Sequence, residues 1–259
     1  MTFTGARDSS AFSLHGEVAL ITGGGSGLGL EIARCMAQSG AKVVLTGRRG
    51  DVLASACESI GSAASFHIQD INRTEKAPDL INAVREEHGH LSILVNNAGT
   101  HLKKSAVDTT VDEFRSILDT HLLAAHALTA AALPHMKARK HGHVLFIASM
   151  ASLFGIPNVL AYSAAKSAHL GMVRTLATEV SHEGVRINAI APGWIHSPMM
   201  EKALNNDQER RDRILQRTPM HAFGQATDVG WAAVYLSSPA AQFVTGVTLP
   251  VDGGVSIGF

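Results

Sequence analysis

The chain has 259 residues, 46% hydrophobic and 17% charged, which is ample apolar material for a buried core and far from the composition of a disordered chain. Its 22 basic and 22 acidic residues balance to zero formal charge, so no basic field exists to hold a polyanion, and nucleic acid is not an expected partner. Cys35 and Cys57 have no CxxC spacing and no second pair, which excludes a disulfide framework and fits a reducing, cytoplasmic setting.

Residues 1–14 are rich in Ser and Thr and lack a basic start followed by an apolar run; they are expected as a loose tail, with residues 15–259 forming one domain. From Glu17 to Ala191 short apolar runs alternate with longer helical patterns, the signature of repeated βαβ units. Strands are expected at Val18–Thr22, Lys42–Thr46, Ser65–Ile68, Ile93–Asn96, His143–Ala148, Arg186–Ile190 and Val247–Pro250. Helices are expected at Leu28–Gln38, Asp51–Ile60, Glu75–Glu87, Val111–Met136 and Val159–Val180. No linker parts two domains, so the fold class is α/β, a single doubly wound parallel sheet with a small mobile flap at about 196–220. The nearly charge-free stretch His143–Tyr162 is not read as a membrane span, because Ser149, Ser152, Gly155, Pro157 and Asn158 would leave polar groups and broken backbone in hydrocarbon.

After the first strand comes Thr22-Gly23-Gly24-Gly25-Ser26-Gly27-Leu28-Gly29 and then a helix, the position where a doubly wound fold binds pyrophosphate. Gly23 suits a turn closed to other residues, Gly27 lets backbone N–H groups approach phosphate, and Gly29 lets helix pack on strand. The second strand ends Thr46-Gly47-Arg48-Arg49 with no acid to accept a ribose 2′-hydroxyl. Arg48 and Arg49 would pair instead with a 2′-phosphate, which favours NADP(H) over NAD(H); solvated loop charges are the alternative.

Ser149 closes the fifth strand, and Tyr162-Ser163-Ala164-Ala165-Lys166 opens the following helix. Residues i and i+4 share a helix face, so the Lys166 ammonium is expected beside the Tyr162 phenol, lowering a pKa that is ordinarily ~10 into a useful range for proton transfer. Ser149 would hold a substrate oxygen by a hydrogen bond. His88-Gly89-His90 and His141-Gly142-His143 read as turns, no H-E-x-x-H occurs, and no catalytic metal is expected.

With Asn96-Asn97-Ala98-Gly99, Pro192-Gly193 and a final Val251-Asp252-Gly253-Gly254, these motifs resemble, in their order, the short-chain dehydrogenase/reductase family over Glu17–Gly254. The resemblance implies a Rossmann fold with strand order 3-2-1-4-5-6-7 and an NAD(P)-dependent oxidoreductase that moves hydride between nicotinamide and a carbonyl or secondary alcohol. It places Asp70 and Ile71 at the adenine and Asn97, Ala98 and Gly99 at the adenosine and nicotinamide ribose. Lys166 joins Tyr162 beside the latter ribose, and Pro192, Gly193, Ile195 and Ser197 lie at the carboxamide. The family is commonly a homotetramer. Where it usually has an asparagine anchoring a relay water, this chain has His121, which fits either a relay residue or a packed histidine.

His101, Phe154, Trp194, His196, Met199 and Met200 flank these motifs and are expected, with Ser149, to line the substrate pocket or simply to pack there. Arg217-Thr218-Pro219-Met220 and the Leu249–Gly254 ending look like members that oxidise sugar acids, such as gluconate 5-dehydrogenases; 3-oxoacyl reductases are similar too. Few basic residues are expected around the entrance, which disfavours a phosphopantetheine carrier. A catalytically weak dinucleotide-binding sensor is the reading from another class, and only His121 supports it.

Overall fold

In a computed structural model, which describes residues 9–196, 200 and 207–258, seven parallel strands form one sheet in the order β3-β2-β1-β4-β5-β6-β7. They are β1 (Val18–Thr22), β2 (Lys42–Gly47), β3 (Ala64–Ile68), β4 (Ile93–Asn96), β5 (Gly142–Ile147), β6 (Val185–Pro192) and β7 (Thr248–Val251). Side chains alternate across the sheet, so Val18, Leu20, Val144 and Phe146 enter one core while Ala19, Ile21, Leu145 and Ile147 enter the other. Helices α1 (Gly27–Gln38) and α2 (Gly50–Ile60) cover the second face; α3 (Ala77–His88), α5 (Ala124–Arg139) and α6 (Leu160–Val180) cover the first. Both faces of the sheet are dry, which is why its strands read as continuous apolar runs.

Several expected boundaries shift. The helix expected over Val111–Met136 is α4 (Val111–Leu118), a π-helical turn at Asp119–Leu123, and α5, which runs on to Arg139. By length and composition Val111–Arg139 could cross a membrane, but it packs on α3, α6 and the sheet. His141-Gly142-His143 is not a turn, because Gly142 and His143 belong to β5. Of the expected tail, Ser9–Phe12 form a 3-10 turn and Leu14 is wholly buried in the second core.

Among the described residues beyond β6 lie the helices α7 (Gln208–Arg217), capped by Asp207, and α8 (Ala226–Ser237). The expected flap therefore contains a regular helix. Helix α8 lies on α1 so closely that a Cβ on Gly230 would stand 2.5 Å from Cys35 Sγ.

Strand order reverses between β1 and β4, which opens a crevice at the carboxyl ends of these two strands. The glycine loop follows β1, Arg48 follows β2, Asp70 follows β3, Asn97 follows β4, Ser149 follows β5 and Gly193 follows β6. One edge of the sheet thus collects residues spread over 170 positions of sequence, from Gly23 to Gly193.

Candidate active site

The glycine loop is built as a cradle. Gly23 and Gly27 hold φ of +65° and +55°, where a side chain would strain the backbone. A Cβ on Gly29 would fall 2.4 Å from the Gly23 carbonyl oxygen, so nothing larger lets α1 start this close to β1. Ser26 stands in extended conformation at the head of α1 without a side-chain cap, and no acid lies in the first turn. The first N–H groups of the helix are therefore left for a ligand anion, with the positive end of the helix dipole behind them. Gly25 backs onto Val52 and Leu53 of α2, and Leu28 onto the second core.

Arg48 and Arg49 are exposed at the end of β2 and pair with no acid among the described residues. Asp70 closes a turn by accepting the Asn72 N–H at 3.0 Å, and Ile71 packs on the first core. These features fit a dinucleotide carrying a 2′-phosphate, and the uncapped helix start is what a pyrophosphate requires.

Asn96 and Asn97 lock the crevice. Thr22 Oγ1 accepts the N–H groups of Asn97 and Ala98, both at 2.9 Å, and Asn97 Nδ2 donates to the Thr22 carbonyl at 2.8 Å. Asn96 Nδ2 donates to Thr129 Oγ1 of α5 at 3.1 Å. The two strands that flank the reversal are held together at the point where the loop must not spread.

Ser149 is buried at the end of β5, and its Oγ accepts the Ala151 N–H at 3.1 Å. Its hydroxyl hydrogen bonds to the Tyr162 phenol, so the two expected residues are in contact. Lys166, one helical turn on, is fully buried; its Nζ donates to the Ile147 carbonyl at 2.5 Å and stands 5.8 Å from the Tyr162 ring centroid.

The phenol pKa is raised, not depressed as the spacing predicts. Burial raises Tyr162 above its ordinary value, and the Ser149 hydrogen bond only partly opposes that. The ammonium lies under the ring and gives its hydrogen bond to Ile147, and burial pulls Lys166 itself down to about 7.

His121 sits in the π-helical turn with 2% of its surface exposed. Its Nε2 lies 3.0 Å from the Thr100 N–H nitrogen and 2.7 Å from the Thr100 carbonyl oxygen, accepting from one or donating to the other according to tautomer. Either way Nδ1 is buried without a partner. The ring stands edge-on to Tyr162 at 5.4 Å, and Gly99 makes room for it, since a Cβ there would lie 2.2 Å from its Cε1. Burial, reinforced by Lys166, holds His121 down to about 4, so it is neutral at physiological pH.

His169, which sequence reasoning missed, donates from Nε2 to the main-chain carbonyl of His121 at 2.8 Å. Burial brings its pKa to about 3. The signal was available: His169 lies three residues after Lys166 on α6, the spacing that places side chains on one helix face.

His101 packs against Tyr162 with ring centroids 5.1 Å apart. Beyond it a cavity of about 350 Å³ is lined by Phe154, Trp194 and Ile214 together with Lys103, Arg210, Arg213 and Arg217. Neither Ser149 nor Tyr162 lines it, so it is the outer part of the entrance and not the reaction centre. Arg217 stacks on Phe154 at 4.5 Å. The expectation of few basic residues at the entrance is overturned: four cations from two separated segments meet there, and no acid is among the lining residues.

Gly193 tucks against Asp252, and Trp194 and His196 bond to Gly224 on either side of Ile195, whose own N–H and C=O find no partner among the described residues. Pro192 ends β6, and Met200 is half-buried. Ser197 and Met199 lie outside the described residues.

Residues 23–256 match the protein family described as Enoyl-(Acyl carrier protein) reductase. The 2-dehydro-3-deoxy-D-gluconate 5-dehydrogenase of Bacillus subtilis (strain 168) is 37% identical over 246 residues, covering 94% of this chain and 96% of that protein. The 3-oxoacyl-[acyl-carrier-protein] reductase of Rickettsia prowazekii (strain Madrid E) is 32% identical over 242 residues, covering 93% of this chain and 98% of that protein. A crystal structure of a gluconate 5-dehydrogenase from Burkholderia cenocepacia J2315 in complex with NADP and tartrate superposes with a TM-score of 0.92 at 31% identity, covering 96% of this chain and 99% of that one.

The neutral histidines make stability depend on pH. An unfolded histidine titrates near ~6.5, so between that value and the folded values of about 4 for His121 and about 3 for His169 the unfolded chain binds more protons. Stability is therefore full above ~6.5 and falls on acidification, by about 1.4 kcal/mol per pH unit for each histidine. Urea melts at pH ~7 and ~5 should show this slope reduced by one proton in His121→Asn. Parallel slopes in the two proteins would show that His121 is not held neutral.

Proposed function

The chain belongs to the short-chain dehydrogenase/reductase family, and from that premise we propose that it is an NADP(H)-dependent oxidoreductase interconverting a secondary alcohol and a ketone on a small, carboxylate-bearing substrate of the sugar-acid kind. The observation that carries the reaction class is the meeting of Ser149, Tyr162 and Lys166 at the sheet edge that also bears the uncapped glycine loop.

Bound NADP(H) supplies or receives the hydride. The loop Gly23–Gly29, including Gly25, Ser26, Gly27 and Leu28, holds the pyrophosphate; Arg48 and Arg49 hold the 2′-phosphate; Asp70 and Ile71 flank the adenine. Asn97, Ala98 and Gly99 border the ribose, and Pro192, Gly193 and Ile195 the carboxamide.

Ser149 donates its hydroxyl to the substrate oxygen and Tyr162 exchanges a proton with it. Lys166 acts on the charge Tyr162 acquires when it loses that proton. Taking the 5.8 Å to the ring centre as the separation and an effective dielectric of ~20, the ammonium is worth about 3 kcal/mol, or about two pKa units, acting against the burial cost of a phenolate. His121 fixes the π-helical turn behind this pair through Thr100, and His169 holds its carbonyl.

The four cations at the entrance support an anionic substrate. Two relatives are named for oxidising gluconate-type acids, and one of them holds tartrate, also a carboxylate. The same cations would suit the phosphate of a 3-oxoacyl carrier, which is the second reading. An intact Ser149, Tyr162 and Lys166 leaves the sensor reading without support. A homotetramer fits the apolar side chains left exposed on the long helices, Val111, Leu123 and Leu160.

Tyr162→Phe should lower turnover by about two to four orders of magnitude while NADPH affinity stays within about twofold, measured by stopped-flow reduction and fluorescence titration. Undiminished turnover would refute the assignment. The Arg213→Ala, Arg217→Ala double variant should raise KM about tenfold or more for keto acids of sugars and leave KM for uncharged keto esters nearly unchanged. Equal changes for both substrate classes would remove the carboxylate reading.

A further inference from the structure

At the opposite edge of the sheet three metal-ligating side chains converge. Glu17 immediately precedes β1, and His141 and His143 flank Gly142 at the start of β5, so the i, i+2 spacing of a strand sends both imidazoles to the same face. One ligand atom from each of the three lies within 4.8 Å of the others. His141 Nε2 stands 3.0 and 3.1 Å from the two carboxylate oxygens of Glu17, and the two imidazole rings meet edge to face at 4.9 Å.

The Glu17–His141 separation is close to the ~3.3 Å between neighbouring ligand atoms around a tetrahedral ion with bonds of ~2.0–2.1 Å, and the His143 ligand atom lies within 4.8 Å of both. A second observation points the same way. His143 is 7% exposed, and its Nδ1 is buried with no hydrogen-bond partner. His141 and Glu17 reach solvent, with side-chain exposures of 43% and 19%, so an ion has a way in. The ligands hang on strand starts already fixed by main-chain bonds, His143 N to Ser92 O at 2.8 Å and Lys42 N to Glu17 O at 2.9 Å, which preorganises the group.

We propose that Glu17, His141 and His143 form a binding site for a zinc-class divalent transition metal, clamping β1 to β5 at the amino-terminal edge of the sheet. Two imidazoles and one carboxylate select such an ion over magnesium or calcium, which prefer all-oxygen sets. The nearest fixed cations, Arg186 and Arg139, weaken the affinity without blocking the site; Arg186 is turned to the carbonyls of Val244 and Ser238. Six residues of chain at about 3.3 Å each, about 20 Å, separate His143 from Ser149, so the ion takes no part in hydride transfer and acts on stability.

The test uses the full-length, chelator-treated, tag-free protein, with zinc titrated by calorimetry and cobalt(II) by its visible d–d absorption. Wild type should bind about one ion per chain, and excess zinc should raise the melting temperature by several degrees. His141→Ala, at a half-exposed position, should lose at least tenfold in affinity and the thermal shift; Glu17→Gln should do the same, with NADPH-dependent turnover unchanged in both. Absence of saturable zinc or cobalt binding to wild type would overturn the proposal. So would undiminished affinity in both variants, which would place the ion among other histidines of the chain.

Discussion

Everything at the reaction edge is arranged around one ammonium group that is buried without a counter-ion among the described residues. Lys166 has 3% of its surface exposed, bonds to a main-chain carbonyl, and has no carboxylate of a described residue within reach. Such a group is costly to charge, and burial has brought its pKa near neutrality. The most favourable compensating charge the site can produce is a phenolate on Tyr162. The two groups therefore favour each other's ionisation, and the pair is poised where a proton can leave the phenol and return. His121 and His169 complete this arrangement by staying neutral: burial outweighs their other interactions, and Lys166 adds to it, so a single positive charge is tolerated there.

The fold supplies the rigidity that this balance needs. Strand order reverses between β1 and β4, and Thr22, Asn96 and Asn97 tie the two strand ends to each other and to α5. Gly99 then leaves the space that the His121 ring fills, so the loop after β4, the π-helical turn and the phenol form one packed unit. A loop that must approach a dinucleotide closely and a side chain that must stay dry are thus served by neighbouring glycines for the same steric reason.

Features set by local spacing were readable from sequence. The glycine loop between strand and helix, the i, i+4 pair of Tyr162 and Lys166, and the alternation of strands and helices each lie within a short window, and all seven strands fall within a residue or two of where they were expected. What could not be read depends on tertiary contact. Helix α8 shows no clean amphipathic stripe, because its apolar residues run from Val229, Ala233 and Leu236 in the second core round to the half-exposed Trp231. The π-helical turn hides inside a continuous helical pattern. The cationic entrance joins Lys103 to three arginines more than 100 residues later, and the His169 bond to the His121 carbonyl crosses between helices. The effect of Lys166 on Tyr162 was read from spacing alone, without the burial that opposes it.

The pH dependence of alcohol oxidation in Lys166→Met, compared with wild type at saturating NADP, tests that balance most directly. Oxidation requires the phenolate to accept the alcohol proton, so the rate rises with pH through the phenol's pKa. Removing the ammonium should move that rise upward by one to about two pH units. A rise at the same pH in both proteins, with cofactor binding intact, would show that Lys166 does not govern the phenol.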